Sequence, residues 1–506
     1  MNLLEFSAAL DGFFWGPIII YLCLGAGIFF SVIMKFPQLR LIKDMVGQLI
    51  GGKASESGVS SFQGFAMALG GRVGTGNITG VASAILFGGP GAVFWMWLIA
   101  FLGAGSAFIE SSLAQVWKEQ VNGEYRGGPA YYMEKGLKSK SLGILFASLT
   151  VASIGIMLPG LQSNSFAVVG QEAFGISPIM TGILFAGFAA LVIFGGGKRI
   201  AKTAEIIVPF MAIAYIVIAL LIFFANFTMI PQIFSMILTS AFSTNAVFGA
   251  IFGNAVSWGV KRGVFSNEAG LGTGAQAAGS AEVSHPAKQG LVQAFSVYVD
   301  TLFVCTATAF MMLSTNSFNV ADPANANGFL VEYLPGVGSG NFTQMAVDSF
   351  IPGFGSIFIA LAMLLFTFTT VLAYAFYSDS CIAYLFKNNA QGVGYKYGIM
   401  AGRIGICVMT FLGAISTPDL VWNFGSAFCG MMAVQNVICI LFLTKPGIAT
   451  LKDYEAQKKL GLDPVFIPSR CGIQGAELWE EIIPNTYPEQ YSAYQKTMGI
   501  VKKKIG

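Results

Sequence analysis

An arginine, an asparagine five residues on and a glycine three further recur at two places 190 residues apart: Arg72-Val-Gly-Thr-Gly-Asn77-Ile-Thr-Gly80 and Arg262-Gly-Val-Phe-Ser-Asn267-Glu-Ala-Gly270. Each lies in a segment otherwise apolar enough to span a membrane. In Gly70-Gly-Arg-Val-Gly-Thr-Gly76, four glycines in seven residues disfavour helix by about 1 kcal/mol each relative to alanine. Unwinding frees backbone N–H and C=O groups, which persist at membrane depth only when buried in protein or lining a cavity. The half-helix starting near Asn77 turns the positive end of its dipole toward the gap, where a carboxylate is stabilised. Freed carbonyls and hydroxyls suit a hard monovalent cation or an ammonium. Together they describe a site for a small zwitterion plus a cation; close helix packing is the other use of such glycines. Two interruptions in corresponding halves of a chain point to the binding site of a secondary transporter.

Charge inside the spans narrows the partners. A charged residue at mid-membrane costs roughly 2.5–3.5 kcal/mol on insertion scales, so Arg72, Lys261, Arg262, Glu268 and Asp300 are expected to face protein. Arg72 or Arg262 can pair with Asp300 or Glu268, either to hold the broken segments or to act as contact or gate. Glu110, Glu205 and Asp379 fall near predicted cytoplasmic ends, where gating and solvation are both open. Adjacent Thr369 and Thr370 can place hydroxyls together, as a five- or six-coordinate sodium site needs, or can bond back to their own helix. Trp95 and Trp97 read as packing or interface residues.

The elements that must position these groups follow from composition. The 506 residues are 55% hydrophobic and 10% charged, with mean hydropathy +0.69. A soluble domain carries roughly a quarter charged residues, so this is a polytopic helical membrane protein. A net charge of +3 gives no case for nucleic acid or another polyanion. Six cysteines lie in apolar segments and Cys471 in the tail, none in a CxxC pair, which reads as small buried hydrophobes. The sole histidine, His285, leaves little material for zinc or histidine-based catalysis. No basic residue precedes Lys35, against a cleaved signal peptide.

Windows of about 20 residues select eleven predicted spans near 14–34, 61–86, 91–117, 143–170, 178–196, 203–225, 245–281, 287–316, 350–385, 397–414 and 419–444. Lysines and arginines follow the odd-numbered spans up to the ninth, while the loops near 87–90, 171–177, 226–244, 317–349 and 415–418 contain none. The positive-inside rule then places the N-terminus outside and the C-terminus in the cytoplasm. Residues 1–60 form the extracellular N-terminus, an extra span and a basic cytoplasmic loop; 61–225 and 245–444 are five-span groups of opposite orientation. That is an inverted repeat with broken first helices. The 226–244 loop holds an interfacial helix. The tail, 445–506, is polar, and its Lys502-Lys-Lys504 end reads as a solvated terminus or a contact with anionic lipid.

At Gly88-Gly-Pro-Gly-Ala-Val-Phe-Trp-Met-Trp-Leu-Ile-Ala-Phe-Leu-Gly103 the sequence closely resembles the signature of the alanine or glycine:cation symporter family. The likeness continues through Gly259-Val-Lys-Arg-Gly-Val-Phe-Ser-Asn-Glu-Ala-Gly-Leu-Gly272, His285-Pro-Ala-Lys-Gln-Gly-Leu-Val-Gln293 and Asp300-Thr301, covering about residues 14–445. It implies a prokaryotic plasma-membrane importer of alanine, glycine or related amino acids with sodium or protons. It also implies a leucine-transporter-like fold of five-plus-five helices preceded by one extra helix. By likeness to the broader sodium-symporter fold, carbonyls of Gly70 and Val73 bind sodium with the hydroxyls of Thr369 and Thr370. Backbone around Gly74, Thr75, Gly76 and Asn77 holds the substrate carboxylate; Ser266 and Asn267 of the second segment, with Thr370 and Tyr374, complete the candidate substrate set. Where many relatives read Gly-Trp after the threonine pair, this chain has Ala373-Tyr374, which extends the substrates to serine or glutamine.

The expectation is a sodium-coupled importer of small neutral amino acids, with no cofactor beyond the coupling ion and no protein partner evident. Proton coupling through Glu110, Glu268, Asp300 or Asp379 is the nearest rival. An ion channel lacks a repeated selectivity loop or acidic ring, and an enzyme lacks a nucleophile–base set.

Overall fold

The computed structural model describes residues 2–50, 52–242, 246–325, 328–416 and 419–505, without the side chains of 246–252 and 499–505. Among them, eight helices are long and apolar enough to cross a membrane: Leu3–Ile33, Gly91–Val116, Lys140–Phe174, Gly197–Ala225, Pro286–Ser314, Gly355–Leu385, Val393–Ile415 and Asp419–Phe442. The other three predicted spans fall on shorter pieces. Segment 61–86 is split into Ser61–Arg72 and Gly76–Gly88, segment 178–196 is the helix Pro178–Ile193, and segment 245–281 is split into Ala246–Asn267 and Thr273–Gly279.

The first helix starts eleven residues before the predicted span, at Leu3. Glu5 and Asp11 lower the hydropathy there, but the Asn2–Glu5 capping box satisfies the first free N–H groups. Gly16, with ψ −149°, then kinks the chain ahead of Pro17. The predicted interfacial segment is the helix Ile230–Phe242, which packs on Gly91–Val116: the Gly91 N–H donates to Ser240 Oγ at 3.0 Å. Two short antiparallel hairpins, Glu119–Val121 with Glu124–Arg126 and Asn319–Ala321 with Phe329–Glu332, lie between helices.

Helix Gly91–Val116 is the hub. It packs against Pro286–Val297, Ala246–Asn267 and Ile19–Ile33, and its run of small residues Gly103, Ala104, Gly105, Ser106 and Ala107, buried all round the helix, lets neighbours approach closely. Elsewhere Pro159–Phe174 crosses Val393–Ile415 at Gly160 and Gly413, where a β-carbon on Gly413 would overlap the Gly160 backbone. Trp97 packs on the rings of Phe234 and Phe310 and donates to Thr306 Oγ1, and Trp95 on Phe94 and Phe242.

The tail is more ordered than its polarity suggests. Thr444–Lys459 and Leu478–Thr486 are helical, and Tyr454, Phe466 and Trp479 are buried. Trp479 Nε1 donates to the carbonyls of Gln115 and Val116 at 3.1 and 3.2 Å, satisfying groups that a helix C-terminus leaves open. Lys118 lies over the rings of Tyr125 and Trp479; burial pushes its ammonium down to about 8 against the pull of Glu282. His285 caps the helix from Pro286 through Nδ1 and faces Asp453 through Nε2 at 3.3 Å. The side chains of Lys502, Lys503 and Lys504 lie outside the description.

Because Gly160 and Gly413 seat Pro159–Phe174 and Val393–Ile415 against one another, Gly413→Ala is expected to cost about 1–3 kcal/mol, and a thermal melt of the purified variant checks it.

Candidate functional site

Ser60 and Gln63 form a capping box that starts the first broken helix. Its last regular bond runs from the Val73 N–H to the Leu69 carbonyl, and Val73 is extended, with ψ 93°. The next amide, on Gly74, turns away from the helix and donates to Asn77 Oδ1 at 2.8 Å. That leaves the Gly70 carbonyl without its helical partner. The Thr370 hydroxyl takes its place, lying 3.1 Å from Gly70 O and 3.3 Å from Val73 O. Oxygens about 3.4 Å apart are adjacent corners of an octahedron with bonds of roughly 2.3–2.6 Å, the range that oxygen-bound Ca²⁺ takes; sodium is of similar size. Both hydroxyls also bond back to their own helix, Thr370 to Phe366 O at 2.9 Å and Thr369 to Leu365 O and Phe366 O at 3.1 and 3.0 Å, but the Thr369 hydroxyl lies against Met211 Sδ instead of the freed carbonyls. The structure brings Gly70, Val73 and Thr370 together and does not bring the Thr369 hydroxyl to them.

The second helix breaks after Asn267. Glu268, Gly270 and Gly272 have φ of 55°, 90° and 82°, left-handed values that glycine adopts freely. Asn267 Oδ1 accepts from the Ala269 N–H, and its amide donates to Thr301 Oγ1 at 3.2 Å. Glu268 accepts from the Thr273 hydroxyl at 2.8 Å.

Asp300 joins the two breaks. It sits in a π-helical stretch, Tyr298–Cys305, a form common at functional sites. One carboxylate oxygen accepts from Asn77 Nδ2 at 2.6 Å. The other accepts from Ser266 Oγ at 3.0 Å and Thr301 Oγ1 at 2.7 Å. The backbones are close as well, since a β-carbon on Gly76 would lie 3.3 Å from Ser266 Cα. Asn77, Ser266, Asp300 and Thr301 are all buried.

The expected ion pairs do not form. Arg72 donates through one terminal nitrogen to Gln293 Oε1 at 3.2 Å and to Ser296 Oγ, while its Nε and other terminal nitrogen have no hydrogen-bond partner. Arg262 lies over the ring of Trp258, 5.0 Å from its centroid. Among the described residues neither contacts Asp300 or Glu268 at ion-pair distance. Neutral amides and hydroxyls solvate Asp300 instead, and Arg72 is taken up by the polar face of the helix from Pro286. Near the other end, Asp379 pairs with Arg403 at 2.7 Å and Glu205 accepts from Gln63 Nε2 at 2.9 Å.

Sequence reasoning passed over Gln162. Its Oε1 accepts from the Thr75 N–H at 3.3 Å, and its side chain lies by the hydroxyl of buried Tyr374. Gln162 thus links the first break to the residue expected to wall the pocket. The signal was a polar cluster after Pro159, in Gln162-Ser-Asn164, within an apolar segment; amides at that depth cost too much to be idle. Asn436, beside Gln435 in a span that also holds Asn423, was passed over as well.

Thr370→Ala should raise the sodium concentration for half-maximal uptake about tenfold, one lost ligand oxygen at roughly 1.4 kcal/mol, and Thr369→Ala should change it little. Equal shifts in the two variants would overturn the asymmetry.

Among known proteins, the model of the sodium:alanine symporter family matches residues 1–468. YrbD of Bacillus subtilis (strain 168) is 52% identical, over 94% of this chain and 98% of YrbD. The sodium/proton-dependent alanine carrier protein of Bacillus sp. (strain PS3) is 46% identical, over 85% of this chain and 95% of the carrier. The crystal structure of MhsT in complex with L-phenylalanine superposes with TM-score 0.52 at 14% identity, covering 88% of this chain and all of that one. That likeness gives the leucine-transporter-like fold.

Proposed function

We propose that this chain, which belongs to the sodium:alanine symporter family, imports small neutral amino acids, alanine or glycine with serine or glutamine as further candidates, driven by sodium. Members of the family are multi-pass membrane symporters that move amino acids with a cation, not enzymes. The observation that carries the sodium reading is the convergence of the Gly70 and Val73 carbonyls with the Thr370 hydroxyl. These three oxygens hold the ion, with the fold read as two inverted five-helix groups after one extra helix. The amino-acid carboxylate lies against the backbone of Gly74, Thr75, Gly76 and Asn77, with Ser266 and Asn267 on the facing break. Thr370 borders both sites, so the ion shapes the pocket that the substrate enters. Import follows from the inward sodium gradient across a prokaryotic plasma membrane, in which the N-terminus lies outside and the C-terminus in the cytoplasm.

One sodium is enough. A tenfold gradient supplies about 1.4 kcal/mol and 100 mV about 2.3 kcal/mol, which together sustain roughly 500-fold accumulation of a neutral substrate. Proton coupling is the second reading, favoured by the burial of Glu110, Glu268 and Asp300 with neutral hydrogen-bond donors around them. Alanine uptake into proteoliposomes separates the two: it is expected to need sodium outside and to stop in choline, with or without a proton gradient. Uptake in choline driven by a proton gradient would reverse the choice.

Two substitutions test the pocket. Asn77→Ala breaks the link between the first break and Asp300, so amino-acid affinity should fall about tenfold or more, at roughly 1.5–3 kcal/mol for a bond to a charged group, while the protein still inserts. Wild-type affinity in the purified variant would make Asn77 idle. Tyr374→Trp fills space beside the substrate side chain and removes the hydroxyl beside Gln162. Competition should move toward alanine and glycine and away from glutamine, one methylene being worth about 1–3 kcal/mol. An unchanged inhibition series would place Tyr374 outside the pocket.

A further inference from the structure

Glu110 stands apart from the proposed ligand sites, fully buried on the helix Gly91–Val116. Its carboxylate faces the turn of the second break. One oxygen accepts from the Gly270 N–H at 3.5 Å; the other accepts from the Gly272 N–H at 3.2 Å and from Asn436 Nδ2 at 2.8 Å. Asn436 also donates to the Gly270 carbonyl at 2.9 Å and accepts from the Tyr132 hydroxyl. Every hydrogen bond to Glu110 among the described residues therefore comes from a neutral donor.

The arrangement answers a need that the break creates. With Gly270 and Gly272 in left-handed conformations, their amides leave the helical ladder, and a buried amide without an acceptor is costly. The side chain of a different helix supplies the acceptor. Space is tight on the other side of the turn, where a β-carbon on Gly272 would run into the Pro129 ring and approach Asn436. The turn is thus fixed to Gly91–Val116 and to Asp419–Phe442 at one point. In alternating access, one bundle moves against the other around a fixed site, so a link between a broken helix and its surroundings governs the movement.

We propose that Glu110 is a positioning residue for transport: it holds the turn of the second break in register through Gly270, Gly272 and Asn436 and sets the rate of the conformational step without touching ion or substrate. The inference rests on the symport reading given above. A glutamine at 110 keeps the shape but removes the charge and one acceptor: with its Oε1 toward the Gly272 amide and Asn436, its NH₂ faces the Gly270 N–H, a donor against a donor. Aspartate keeps the charge and loses reach.

The test uses the full-length protein, purified and reconstituted. For Glu110→Gln, alanine and sodium binding in detergent and the thermal midpoint should stay near wild type. Its maximal uptake should fall about tenfold, the effect of losing one charge-assisted hydrogen bond, with half-saturation constants little changed. Glu110→Asp should recover part of the lost rate, and Asn436→Ala should show the same split at smaller size. A wild-type rate in Glu110→Gln would overturn the proposal. So would binding, stability and rate falling together in both Glu110→Gln and Asn436→Ala, which marks a structural role; if Glu110→Gln does not fold, the behaviour of Asn436→Ala decides. Wild-type protein that takes up no alanine in the same assay would refute the symport reading instead.

Discussion

Asp300 is a fully buried carboxylate that no lysine or arginine reaches among the described residues, so the protein itself has to solvate it. Burying an ionised carboxylate is prohibitive unless its oxygens are hydrogen-bonded. Here the donors come from the restart of the first broken helix through Asn77, from the end of the upper half of the second through Ser266, and from Thr301 beside it. Removing any one leaves part of a charge unsolvated, and this makes the three elements mutually dependent. The same contact explains why two unwound segments, each unstable alone, are held at one place. Asn77 carries both duties, accepting the Gly74 amide while donating to Asp300.

In the proposed symport, that junction links the cation and the amino acid physically. The carbonyls of Gly70 and Val73 are available because the chain leaves the helix at Val73, and it leaves there because Gly74 bonds to Asn77 instead. An ion drawn to those carbonyls favours the unwound form. That same form exposes the backbone around Gly74–Asn77. Opposition from a well-formed helix is weak, since the glycines in this stretch give up little by unwinding.

Much of this was legible in the residues. The recurrence of arginine, asparagine and glycine located both breaks, and the threonine pair located a hydroxyl at the Gly70 and Val73 carbonyls. The sequence could not say which of two adjacent threonines turns inward, because that depends on the rotation of Gly355–Leu385 against Ser61–Arg72. Charge pairing misled for a related reason. Opposite signs at mid-membrane suggest salt bridges, but Asp300 and Arg72 face different neighbours, and amides and hydroxyls from distant segments serve each of them. Gln162 and Asn436 were hidden because an amide in an apolar run, even with a second one beside it as at Asn164 or Gln435, has no spacing to betray its partner. Mean polarity carries no information on how the tail packs: a few aromatic residues, Tyr454, Phe466 and Trp479, fix it to the helical body.

The central claim is that sodium at the first break and amino acid beside it stabilise one another. Linkage requires each to raise the affinity of the other by the same factor. The direct measurement is alanine binding to purified protein by equilibrium dialysis, titrated with sodium at constant ionic strength and pH. The alanine dissociation constant should fall about tenfold or more as sodium replaces choline, a coupling of roughly 1–3 kcal/mol, and in Thr370→Ala the fall should move to about tenfold higher sodium. An alanine affinity that is the same in sodium and in choline would contradict the account.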